Sequence, residues 1–172
     1  MLNYDKIGIK GIRFNLIDKV LPNFNEEIFK ELFSILCSLN WHLEIHANEN
    51  DICTLFKDFK NNNLKIVLDH FARPLKKEYS NEFISLLDSN LNFYVKVSAN
   101  YRFKDYKIDS FIAVLLSTIG KDKLLWGSDC PFTKFEKVWK YEKSIDLLMK
   151  NKLTYNLTEI FDDNAKELFN WR

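Results

Sequence analysis

Five short runs rich in β-branched and aromatic residues begin about every 25 to 30 residues: GIRFNL (11–16), WHLEIHA (41–47), LKIVLDH (64–70), FYVKVSA (93–99) and LLWGSD (124–129). Between them apolar residues recur at helical spacing, as at Ile28, Leu32, Phe33 and Leu36, where Asn25 followed by Glu26 and Glu27 reads as an N-cap with acids in the first turn. The same reasoning expects helices near 49–60, 80–89, 109–119, 136–150 and 163–170. No other feature constrains the fold as strongly, because strand, helix and strand in this rhythm build a parallel sheet. The class is α/β. A length of 172 residues, with four glycines and three prolines and no low-complexity linker, fits one domain. It is short for eight strand-helix units.

Residues two apart in a strand share a face, so the position of the charges can be read directly. Arg13 and Asn15 lie opposite Ile12 and Phe14; His42, Glu44 and His46 lie opposite Trp41, Leu43 and Ile45; Tyr94, Lys96 and Ser98 lie opposite Val95 and Val97. A sheet covered by helices on both faces has strands that are apolar throughout. These strands have one ionisable face, which fits a curved sheet whose inner face points into a barrel with its chemistry at the C-terminal mouth. The last inward positions are then Asn15 or Arg13, His46, His70, Ser98 or Lys96, and Asp129.

Each of these residues also has a plainer reading. Asp129 before Cys-Pro fits a turn former, His46 a hydrogen-bonded strand histidine, and Arg73 a solvated loop charge. His42 and Glu44 lie deeper along their strand and read as a polar layer inside the sheet. The shared position of His46, His70 and Asp129 at strand ends on one side favours a site.

Lys plus Arg total 25 and Asp plus Glu 24, so no net field points to nucleic acid or an anionic membrane, and partners must be argued from a site. Three cysteines without CxxC spacing suit reduced thiols better than a disulfide frame. The N-terminus lacks the apolar core of a signal peptide, and no run approaches the roughly 18 apolar residues of a membrane span. The expectation is a soluble, cytoplasmic protein.

Taken in order, KGIRFNL, NWHLEIHA, KIVLDHFARP, YVKVSANYR, LLWGSDCPF and DNAKELFNW resemble the C-terminal part of the amidohydrolase-related TIM-barrel hydrolases, in particular the 2-pyrone-4,6-dicarboxylate lactonase group. The resemblance implies a partial (β/α)8 barrel of about five parallel strands in sequential order, corresponding to strands four to eight. Residues 1–172 would form a single domain lacking the first three strand-helix units. It implies hydrolysis of a cyclic ester, with Asp129 as general base and His70 beside the scissile carbonyl. Arg13, Arg102, Arg73 and His46 would line the pocket of a small carboxylated substrate, since guanidinium forks suit carboxylates.

A divalent metal such as zinc serves many amidohydrolases, but the His-x-His pair that binds it has no counterpart in this chain. His46 and Asp129 are the only candidate ligands, and no metal is assigned. A five-stranded arc leaves two edges and an open polar interior, which implies association with a complementary N-terminal half or with itself, and activity that is lost or depends on that half. Two further readings stand beside this one. One is a non-catalytic barrel fragment that assembles with a partner chain. The other is an open α/β binding domain of flavodoxin type, which requires strand order 2-1-3-4-5.

Overall fold

The computed structural model describes residues 1–59, 63–89, 91–103, 105–150 and 159–171, without the side chains of 147, 148 and 150. Five strands, β1 (Gly11–Asn15), β2 (His42–His46), β3 (Lys65–Leu68), β4 (Asn92–Val97) and β5 (Leu124–Trp126), form one parallel sheet in the order β1-β2-β3-β4-β5. This is the sequential order of a barrel segment and not the 2-1-3-4-5 order of a flavodoxin-type sheet. Each strand starts and ends within a few residues of its expected run.

The helices are α1 (Leu2–Lys6), α2 (Glu27–Ser38), α3 (Glu49–Phe56), α4 (Asn81–Leu87), α5 (Ile108–Thr118), α6 (Tyr141–Lys150) and α7 (Asn164–Phe169), the last preceded by a π turn at Glu159–Asp163. None is long and apolar enough to cross a membrane. The helix expected over 49–60 stops at Phe56, and residue 60 lies outside the described residues. The one expected from 136 starts only at Tyr141, because Phe135 to Trp139 form turns that fold back onto Tyr101.

Two details of α2 depart from the sequence reading. Glu26, not Asn25, is its N-cap residue, with no side-chain cap bond. Ile28 is exposed; Phe29 takes the inward position and packs against Phe14, Phe24 and Phe33. Helices α3 and α4 are capped as the chemistry prefers: the Asn48 side chain accepts from the Asp51 N–H at 3.0 Å, and Ser80 Oγ from the Phe83 N–H at 3.2 Å.

The two faces of the sheet divide as the alternation requires. Leu43, Ile45, Ile66, Leu68, Phe93, Val95, Val97 and Leu124 face the helices in the main core. That core includes edge-to-face ring contacts linking Phe24, Phe33, Phe56, Phe59 and Phe93.

The inner face is less open than its sequence suggested, because α7 covers its lower part. Asn164 Nδ2 donates to the carbonyls of Lys121 and Leu124, both at 2.8 Å, pinning the start of α7 below β5. Leu168 then packs on Val67, Tyr94 and Leu125, and the Phe169 ring lies 4.9 Å from that of His42. His42 fits only because its neighbour on β1 is Gly11, where a Cβ would fall 2.3 Å from the imidazole. The ion pairs of the inner face lie above α7, toward the C-terminal strand ends.

Candidate active site

Directly above the apolar plug lies a ring of four charges. Arg13 on β1 pairs with Glu44 on β2 at 2.7 Å and with Asp69 just beyond β3 at 2.6 Å; Lys96 on β4 pairs with Glu44 at 2.5 Å and with Asp69 at 3.1 Å. The parallel register sets Arg13 opposite Glu44, so the ring follows from strand pairing and side-chain parity. Burial alone would raise the Asp69 carboxyl, but Lys96, His70 and Arg13 outweigh it and hold its pKa below the ordinary value. Glu44 is therefore part of a polar layer, as its sequence position implied. Arg13 is engaged by two carboxylates while the rest of its side chain stays exposed toward the mouth.

The upper layer holds His46, His70, Ser98, Arg73, Tyr101, Arg102 and Asp129. His46 ends β2 on the inner face, as expected. His70 does not end a strand. By parity it would follow Ile66 and Leu68 to the helix side, but the backbone enters a left-handed run at His70 (φ 52), Phe71 (φ 56), Ala72 (φ 57) and Arg73 (φ 46), which turns its ring inward.

Such angles cost non-glycine residues about 1–2 kcal/mol each and persist only where the surroundings enforce them. Here Tyr79 donates to the Phe71 carbonyl at 2.8 Å, and the buried Glu49 carboxylate accepts from the Leu75 and Ser80 amides, both at 3.4 Å. Asp129 lies beyond β5, also left-handed at φ 59. Its backbone carbonyl accepts from the Phe132 N–H at 2.9 Å, so the turn role and the site role coexist in this residue.

His70 Nδ1 is 2.8 Å from Ser98 Oγ, and its Nε2 is 3.5 Å from Asp129 Oδ1. Burial lowers its pKa, against the opposing pull of Asp69 and Asp129. The ring is neutral, and its Nε2 edge faces the Asp129 carboxylate. Asp129 Oδ2 accepts from the Tyr101 hydroxyl and from Nε and Nη2 of Arg102, the latter two at 3.0 Å.

Arg73 Nη1 lies 3.3 Å from His46 Nε2; an arginine only donates, so Nε2 accepts and the ring is neutral. Burial first, then His70, lowers the His46 pKa to about 4. Burial first, then Arg102, pushes the Arg73 pKa down, and among the described residues no carboxylate lies within ion-pair distance of Arg73. The structure thus brings His46, His70, Arg73, Arg102 and Asp129 together in the upper layer, while Arg13 belongs to the charge ring beneath it. Asp69 and Tyr101 were missed. Asp69 had a signal, since it shares parity with Lys65 and Val67. Tyr101 had none, because its place is set by the turn after β4.

A divalent cation does not fit this donor set. Among the described residues no three His, Cys, Asp or Glu side chains are grouped to hold one. His46 Nε2 already accepts from Arg73 and Asp129 Oδ2 from Arg102, which leaves Asp129 Oδ1 as the candidate donor without a guanidinium. No step is assigned to a metal.

His42 and His46 both have pKa values of about 4 in the fold, each lowered chiefly by burial, against 6.5 ordinarily. Between those values the unfolded chain binds more protons, so stability falls as pH drops from about 6.5 to about 4. The depressed Asp69 carboxyl extends the loss further into acid. Urea midpoints measured at pH 7 and pH 5 should differ, with the lower one at pH 5. Equal midpoints would contradict the neutral, buried state of these rings.

Acid, imidazole and guanidinium groups gathered beyond the carboxyl ends of sequentially paired parallel strands define a segment of a TIM barrel. The chain belongs to the amidohydrolase family, whose model matches residues 4–171. A 2-pyrone-4,6-dicarboxylate hydrolase from Comamonas testosteroni is 24% identical over 141 residues, which are 72% of this chain and 46% of that protein. The chain therefore spans about half the length of this curated relative.

A solved Acinetobacter baumannii structure, assigned as a 2-pyrone-4,6-dicarboxylic acid hydrolase and holding citric acid, superposes with a TM-score of 0.85 at 27% identity, over 99% of this chain and 67% of that one. A Pseudomonas putida structure of the same assignment gives 0.84 at 25% identity, over 98% and 66%.

Proposed function

We propose that the chain supplies the acid-base half of a site that hydrolyses a cyclic ester bearing carboxylates. The observation that carries this reading is Asp129, held beyond β5 with one oxygen facing a buried, neutral His70 and with Arg73 and Arg102 beside it. Asp129 takes a proton from water as that water attacks the lactone carbonyl, and later passes it to the leaving ring oxygen. His70, whose Nε2 lies beside Asp129 Oδ1, would hold the developing oxyanion. Arg73 lacks a carboxylate partner among the described residues, so a substrate carboxylate would complete its charge. Arg13 and Arg102, although engaged with protein acids, add positive potential at the mouth.

The Comamonas, Acinetobacter and Pseudomonas relatives, each assigned to 2-pyrone-4,6-dicarboxylate or its acid, favour this substrate class. A dicarboxylated lactone and its neutral diester should differ in kcat/KM by about 10- to 100-fold, since a charge-assisted hydrogen bond contributes about 1.5–3 kcal/mol. Equal rates on the two would remove the carboxylate from the reading.

The far wall of the site would come from further strand-helix units bridging β1 and β5, and association with a complementary chain or with a second copy is one source of such a wall. Light scattering on an active sample distinguishes these, and an active, clean monomer of this chain would exclude both.

A further inference from the structure

The two oxygens of Asp129 have unlike surroundings. Oδ2 accepts from three donors, the Tyr101 hydroxyl and the Nε and Nη2 of Arg102, whereas Oδ1 has the His70 Nε2 at 3.5 Å. Nothing in an aspartate distinguishes its oxygens, because the terminal torsion is broad and nearly two-fold. Arg102 directs both N–H groups to one oxygen instead of spanning the pair, so a second donor is needed to fix the carboxylate plane.

Tyr101 is built to be that donor. It lies in the 3-10 turn Asn100–Arg102, which follows the left-handed Ala99 (φ 55) after β4. Its ring is 7% exposed and packed between Phe135 and Trp139, with centroids 4.9 Å away on each side, and edge-on to Phe132 at 6.1 Å. Arg102 Nη2 donates to the Tyr101 oxygen at 3.3 Å, which leaves the phenol proton to go to Oδ2. Burial first, then Asp129, raises the phenol pKa and keeps it a donor.

We infer that Tyr101 is a positioning residue: its hydroxyl, with Arg102, pins Oδ2 and so presents Oδ1 beside His70 as the oxygen that receives the proton of the attacking water. The inference rests on the reading of Asp129 as general base. In that step a water O–H bond breaks and an Oδ1–H bond forms, the water oxygen bonds to the lactone carbonyl carbon, and the carbonyl π pair moves onto its oxygen.

The test compares Tyr101→Phe with Tyr106→Phe, whose ring stacks on Phe103 outside the contacts of Asp129. The first readout needs no turnover. It is the carboxyl ¹³C resonance of Asp129, identified by its loss in Asp129→Asn, which should shift in Tyr101→Phe and not in the control. The second is kinetic: kcat falls about 10- to 100-fold, as a misplaced catalytic group costs, while KM stays within about two-fold, a split that a general loss of structure would not produce.

An unmoved resonance in folded Tyr101→Phe, or an unchanged kcat in an active preparation, overturns the inference. If Tyr101→Phe does not fold, the Tyr101 ¹³Cζ resonance in Asp129→Ala, which has no side-chain oxygen to accept the phenol proton, decides instead: a shift supports the inference and an unmoved resonance overturns it. If the wild type hydrolyses no lactone, the proposed function fails, and the carboxyl resonance still judges Tyr101 by itself.

Discussion

In a preparation that hydrolyses a dicarboxylated lactone, replacing Asp129 by Asn lowers kcat by about 10²- to 10⁴-fold, the usual contribution of a positioned base, with little change in KM. The amide is nearly isosteric and can still accept from Arg102 and Tyr101 through its oxygen, so the local turn and the Oδ2 contacts have a substitute. What the variant lacks is a lone pair basic enough to take a proton from water. Steady-state kinetics decide the matter. Turnover within about three-fold of wild type would remove Asp129 as the base and make His70, the imidazole facing it, the next candidate.

Stability should respond most to the charge ring beneath the site. Asp69 is 2% exposed and holds both Arg13 and Lys96, so Asp69→Asn leaves two cations sharing Glu44 as their only acid in the ring. Breaking a buried ionic network by removing one partner costs about 3–5 kcal/mol, which for a chain of this length lowers Tm by about 10 °C or more. The exposed Lys30 to Glu27 pair at 3.5 Å is the control, since its loss should change stability by at most about 0.5 kcal/mol. Urea denaturation of both variants compares them directly. A loss under about 1 kcal/mol for Asp69→Asn would mean that water or a shifted side chain restores the missing charge.

Much of this architecture was legible before any coordinates. Alternation at period two placed Arg13, Glu44, His46 and Lys96 on one face, and the parallel register then set Arg13 opposite Glu44. That parity also contained Asp69, which was overlooked because attention fell on the histidine next to it. His70 was rightly grouped with His46 and Asp129 but for an incomplete reason. Strand geometry would have sent it outward, and only the left-handed run through Arg73 brings its ring to Ser98.

Arg102, expected at a substrate carboxylate, also clamps Asp129, a contact that depends on how the turn after β4 meets the turn after β5. The covering of the lower inner face was equally invisible: DNAKELFNW reads as an amphipathic end, and nothing local says that Leu168 lands on Val67, Tyr94 and Leu125.

The sequence by itself determined the parallel α/β arc, the polarity of its inner face and the set of residues from which a site could be made. These rest on periodicity, which is local and repeats along each strand. Tertiary structure alone decided which oxygen of Asp129 faces His70, which arginine has no ion pair among the described residues, and where His70 points. Those depend on left-handed turns at strand ends, held by partners distant in the chain such as Tyr79 and Glu49, and no local pattern encodes them.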